Sequence, residues 1–187
     1  MDRWNTCWWL VLGAVLGLGG CDSGETSIAE ARVASPSEDV QLRVQTDAEG
    51  TMTYTVVHKD QTVIESSPMG LVSTTHDLSQ GVTMFSTTST AIDESYTMLT
   101  GKRRERQIVG SETRIPLRTT NGERAELILR AHEDGVAFRY HLLGEGVSQV
   151  TNELTGFAIP AGARVLTRAY DGGDAIYVPT AGEYQQP

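Results

Sequence analysis

Few side chains in this sequence are spaced for chemistry. The four histidines, His58, His76, His132 and His141, are scattered without the close spacing of a zinc site, and no cysteine accompanies them. Adjacent acids occur at Asp93-Glu94 and Glu133-Asp134, but neighbours on a strand point to opposite faces. The second pair precedes Gly135 in a turn, where Asp has a sufficient conformational reason to stand. No Gly-x-Ser-x-Gly, phosphate-binding loop or dinucleotide fingerprint occurs, and Gly17-Leu18-Gly19-Gly20 falls inside an apolar leader. The residue whose setting does predict a reaction is Cys21, and the reaction is acylation.

Arg3 precedes an apolar run from Trp8 to Leu18 that is shorter than the roughly 20 residues needed to span a bilayer, which is the pattern of a signal-peptide core. The run ends in Leu18-Gly19-Gly20-Cys21, which resembles the bacterial lipobox, whose cysteine receives a diacylglycerol before cleavage. Residues 1–20 are therefore expected to be a cleaved lipoprotein signal peptide, with Cys21 the lipidated residue. Cys7 would leave with the leader, so no disulfide within the mature chain is expected. Residues 21–37 are polar and small, with little to bury, and read as a tether. The expected location is the periplasm of a bacterium, anchored to a membrane through lipid. Asp22 resembles an inner-membrane retention signal of some enteric bacteria, which does not settle the membrane.

The elements that must carry any site are strands. The 187 residues, 39% of them hydrophobic, suit one domain, placed here at 38–187. Fifteen Lys and Arg against 24 Asp and Glu give a net charge of −9, which argues against a nucleic-acid partner because a phosphate backbone needs a basic face. The one concentrated basic run, Lys102-Arg103-Arg104-Glu105-Arg106, lacks interleaved aromatics and reads as a solvated strand edge or loop.

Val40 to Thr46 alternates at period two, with Val40, Leu42 and Val44 on one face. Asp47-Ala48-Glu49-Gly50 supplies turn chemistry before Thr51 to Val57, and His58-Lys59-Asp60 turns again into Gln61 to Ile64. Glu126 to His132, an Asp-Gly turn and Val136 to Leu142 form the strongest hairpin signal. Short strands are expected at Leu154–Ile159, Arg164–Ala169 and Ala175–Val178, while the Ser- and Thr-rich stretch 73–90 reads as loop or weak edge strands. No helical period with caps survives outside the leader, so an antiparallel sandwich is expected.

Leu127-Ile128-Leu129-Arg130-Ala131-His132-Glu133-Asp134-Gly135-Val136-Ala137-Phe138-Arg139-Tyr140 resembles the hallmark of the N-terminal domain of glycoside hydrolase family 97. Four further pieces fit in the family's order: Ser35-Pro36 with the strand at Val40; the hairpin through Tyr54, Thr62 and Val63 into Ser67-Pro68-Met69-Gly70-Leu71; Tyr96 through Gly101; and Glu153-Leu154-Thr155-Gly156-Phe157. The resemblance covers about residues 35–187. It implies an all-β, mutarotase-like super-sandwich packed against a catalytic (β/α)8 barrel that cleaves α-glucosidic or α-galactosidic bonds. The two carboxyls such hydrolysis requires would lie in the barrel, downstream of Pro187, so no catalytic residue is expected within this chain.

The resemblance also implies a Glu reaching a calcium ion near those carboxylates. Tyr170 to Tyr184 is similar to that segment, with Glu183 the candidate ligand, although the family's common Trp is absent there. One carboxylate falls far short of the roughly six to eight oxygens calcium takes, so Glu183 would complete a site formed elsewhere. The leading reading is the non-catalytic N-terminal sandwich of an exported α-glycosidase, supporting the barrel and the rim of its active site. Its partners are then the barrel, an α-linked carbohydrate substrate and a membrane. The alternative is a free-standing lipoprotein that binds glycans or a partner enzyme, disfavoured because all three Trp lie in the leader.

Overall fold

The computed structural model describes residues 26–165 together with the short strands Thr167–Arg168 and Tyr184–Gln185. In chain order the strands are β1 (Ser27–Ile28), β2 (Glu30–Ala34), β3 (Val40–Thr46), β4 (Met52–His58), β5 (Gln61–Met69), β6 (Leu71–Ser73), β7 (Val82–Phe85), β8 (Thr88–Thr97), β9 (Glu105–Thr119), β10 (Arg124–His132), β11 (Gly135–Leu142), β12 (Val150–Glu153), β13 (Thr167–Arg168) and β14 (Tyr184–Gln185). Every pairing between them is antiparallel, and the described residues contain no helix.

Two sheets face each other. One runs β1-β7-β9-β10-β11, with β8 beside β7 on the same edge of β9; the other runs β2-β3-β4-β5. Alternation fixes their inner faces: Leu42, Val44, Met52 and Tyr54 from the second sheet meet Met84, Ile115, Leu117, Leu127 and Leu129 from the first. Each such side chain, fully buried, contributes about 1.5–3 kcal/mol.

Turn chemistry sets the registers. Asp47 Oδ1 accepts from the amides of Glu49 at 3.1 Å and Thr51 at 2.7 Å, closing the β3–β4 turn. Gly50, at φ 74°, ends that turn against β7, where a Cβ would come within 2.5 Å of the Val82 amide nitrogen. Lys59 and Asp60, both at positive φ, make the two-residue turn between β4 and β5.

The fold differs from the sequence reading in two places, the expected tether and the expected strand Leu154–Ile159. The expected tether over 21–37 becomes structure from Ser27 onward. β2 pairs with β3 from Glu30 opposite Gln45 to Ala34 opposite Gln41, and Ala31 and Val33 enter the core. The 73–90 stretch, read as loop or weak edge strands, holds both: β7, the start of β8 and a loop whose Leu78 is fully buried. The basic run is solvated, as read: Lys102 to Arg104 lie in the exposed turn and Glu105 and Arg106 begin β9. Finally, Leu154–Ile159 is not a regular strand. It continues β12 along the edge of β5 and β6 through single contacts, with Leu154 donating to Gly70, Gly156 to Pro68, and Glu65 to Ala158. Of the remaining expected strands, Arg164–Ala169 contains β13 at Thr167–Arg168, and Ala175–Val178 lies outside the described residues.

Candidate docking face

The outer face of β8–β11 carries the densest polar arrangement among the described residues. Register brings Thr90, Glu112, Arg130 and Ala137 into one row across the four strands, and Thr88, Arg114, Ile128 and Arg139 into the next. Glu112 lies at the centre with its side chain only 9% exposed. Arg114 Nε donates to Glu112 Oε1 at 2.9 Å and Arg130 Nε donates to Oε2 at 2.7 Å. Burial alone would push this carboxyl up; the Arg130 hydrogen bond and the Arg114 charge outweigh it and hold Glu112 below the ordinary range.

Glu126, next on the same face of β10, accepts from His141 Nδ1 at 3.0 Å and lies 3.6 Å from Arg114 Nη1. Both carboxylates are thus engaged by cations from neighbouring strands. Their arrangement is support for a surface and differs from the free acid and base that glycoside hydrolysis uses.

Beside this network lies a shallow depression of about 180 Å³, lined by Ile128, Arg130, Ala137, Phe138 and Arg139. Ile128 is 2% exposed although it faces away from the core, with Arg130 and Arg139 lining the same depression. The run Leu127-Ile128-Leu129 therefore buries both faces of β10.

At the open edge of the sandwich β11 pairs only with β10 among the described residues. Its inward row, Val136, Phe138, Tyr140 and Leu142, packs on the core while staying partly exposed. Tyr54 stacks here with Phe138 at 5.5 Å and with Phe157 at 6.4 Å, and Tyr54 Oη donates to Gly156 O at 2.8 Å. Phe157 is 68% exposed. Tyr140 Oη is enclosed without a hydrogen-bond partner among the described residues, and burial pushes its phenol well up.

The histidines stay apart, as their spacing implied. His76 is held by Thr75 Oγ1 and Arg124 O, His132 faces Val109 O, and His141 serves Glu126. The expected turn pair separates in role: Glu133 reaches across to the Ser37 amide at 2.9 Å and to its hydroxyl, contacts that lower its pKa. Cys21 and Glu183, the two residues singled out from the sequence, lie outside the described residues. Among the described residues no three His, Cys, Asp or Glu side chains gather as a metal site. The Glu112 network escaped the sequence reading because its partners converge only through strand register; the Glu112-x-Arg114 spacing on one strand face was its sole local sign.

Two sheets closed over one core, a broad ionic outer face and a half-covered edge strand define a β-sandwich module. The chain belongs to the glycosyl-hydrolase 97 N-terminal family, whose sequence profile matches residues 33–185. It is 36% identical over 131 residues to a protein of Streptomyces bingchenggensis (strain BCW-1) named "Probable retaining alpha-galactosidase", covering 70% of this chain and 20% of that one. The crystal structure of a β-arabinopyranosidase superposes with a TM-score of 0.71 at 25% identity, over 83% of this chain and 26% of that one. A family 97 enzyme from Pseudoalteromonas sp. strain K8, in complex with acarbose, shares the fold with a TM-score of 0.67 at 21% identity, over 84% of this chain and 24% of that one. This chain thus spans about a fifth to a quarter of the length of these relatives.

Proposed function

We propose that this domain serves an exported α-glycosidase as its non-catalytic N-terminal sandwich, packing on a (β/α)8 barrel that hydrolyses α-glucosides or α-galactosides. The observation that carries the reading is the family match over 33–185, together with a match to the galactosidase relative that covers only 20% of that protein. The partly exposed inward row of β11 and the ionic outer face of β9 and β10 give the barrel apolar and charged surface to cover. Cys21 receives the lipid that holds the enzyme at a periplasmic membrane surface. Glu183 supplies one calcium ligand, and the barrel supplies the rest of the roughly six to eight oxygens the ion takes.

The test begins with the gene beyond the Pro187 codon. An open frame of several hundred codons, whose product hydrolyses p-nitrophenyl α-galactoside or α-glucoside while residues 21–187 alone do not, is the expected result. A stop codon there, with saturable retention of the chain on α-glucan gels, would replace this reading with that of a free-standing glycan-binding lipoprotein. Radiolabelled palmitate should enter the wild-type chain and not Cys21→Ala.

A further inference from the structure

Past Gly110, β9 leaves β10 behind and continues with β8 as a two-stranded arm in register from Ile92 opposite Gly110 to Thr97 opposite Glu105. Residues 93–107 of this ribbon are exposed on both faces, which an isolated hairpin sustains poorly without something to rest on. Its tip joins two kinds of surface. Leu99 is 93% exposed with Met98 and Tyr96 open beside it, and Lys102, Arg103, Arg104 and Arg106 follow within a few residues. Arg104 Nε donates to Met98 O; Lys102, Arg103 and Arg106 make no ion pair among the described residues, and Glu105 is taken by Thr97 Oγ1. This concentration of positive charge occurs in a chain of net charge −9.

The register at the other end of the arm adds a direction. Ser27 lies opposite Phe85 and Ile28 opposite Met84, and the Ser86 amide donates to Thr26 O at 3.0 Å. The Thr26 end of β1 therefore points to the side toward which β8 runs, the side of the arm's tip.

We propose that the tip of the β8–β9 arm is a contact for an anionic lipid surface. Leu99 and Met98 enter the boundary between headgroups and acyl chains, and Lys102, Arg103, Arg104 and Arg106 lie against the phosphates. An apolar point ringed by cations is the chemistry such a surface recognises, and each cation adds attraction that salt screens. The inference goes beyond the role of the domain toward a barrel and does not require the lipid on Cys21.

The test uses residues 22–187, which contain every described strand and carry no leader or acyl chain, with circular dichroism and a melting curve to confirm folding of each variant. Flotation with vesicles of phosphatidylcholine alone and with about 30% phosphatidylglycerol should show at least about tenfold stronger binding to the anionic vesicles, weakened by salt. Leu99→Asp, and separately Arg103→Glu with Arg104→Glu, should each lower that binding about tenfold while leaving the melting curve unchanged, since all three side chains are exposed. Equal or absent binding to the two vesicle types, or anionic binding that survives both variants, overturns the proposal. Absent binding together with loss of activity in a longer gene product carrying Leu99→Asp would assign the arm to a protein contact instead.

Discussion

Glu112 and Arg130 face each other across the β9–β10 ladder, Arg130 Nε donating to Glu112 Oε2 at 2.7 Å on the side of the sheet turned away from the core. Replacing Glu112 with Gln leaves two arginines sharing one neutral acceptor and should cost about 1–3 kcal/mol in urea unfolding near neutral pH. The native carboxyl is held below its ordinary range, so its contribution is complete above the unfolded pKa and fades as pH falls through the lower, folded value. The stability difference between wild type and Glu112→Gln should therefore narrow below about pH 4.

Gly110 stands where the arm departs, and a Cβ there would lie 2.5 Å from His132 Nδ1 and 2.7 Å from Ala131 O. Gly110→Val should force the β9–β10 ladder apart at that point and destabilise the domain by about 2 kcal/mol. His132→Ala in the same chain should recover part of the loss, since the clash with the Ala131 carbonyl remains. Urea midpoints of the two single variants and the double variant measure this.

Val33→Asp tests whether the folded part begins at β2. Val33 is 3% exposed and pairs with Leu42, so a carboxylate placed there without a partner should cost about 3–5 kcal/mol. A tether would tolerate the change with no shift in the melting temperature.

Tyr54 and Tyr140 give opposite expectations from the same substitution. Tyr54→Phe removes the hydrogen bond to Gly156 O and should cost about 1 kcal/mol, with faster amide exchange at Glu65 and Gly156, whose bonds hold the segment after β12. Tyr140→Phe removes an enclosed hydroxyl that has no partner among the described residues and should leave stability unchanged or raised within about 1 kcal/mol. Burial raises both phenols, so the wild type keeps this stability below the ordinary tyrosine pKa and loses it as pH rises through the folded values. The double Phe variant should lose less stability than wild type between about pH 9 and 11.

Strands with one wet and one buried face were legible from the residues alone. Val40, Leu42 and Val44 alternate cleanly, and turn residues bound β3–β4 and β10–β11 on both sides. β2 was not, because Glu30-Ala31-Arg32-Val33-Ala34 buries small side chains whose alternation is weak, and its partner β3 supplies most of the apolar surface. β8 was obscured for a different reason: with both faces in water past Asp93 it has no pattern to display. The ionic face depends on which residues of β9, β10 and β11 stand opposite one another, and register is a property of the assembled sheet. Family resemblance reached further than periodicity, since it named the domain from short motifs whose neighbours in space were unknown.

β9 is one unbroken backbone from the outermost rungs of the arm at Glu105 to Thr119 beside Val82, with β10 bonded to its inner half and β7 and β8 along its other edge. Force applied at the arm's tip therefore does not end in a soft loop. It runs lengthwise into a strand clamped on both sides, where ladder hydrogen bonds are loaded together in shear, so a pull on the tip is felt by Ile115 and Leu117 at the centre of the domain.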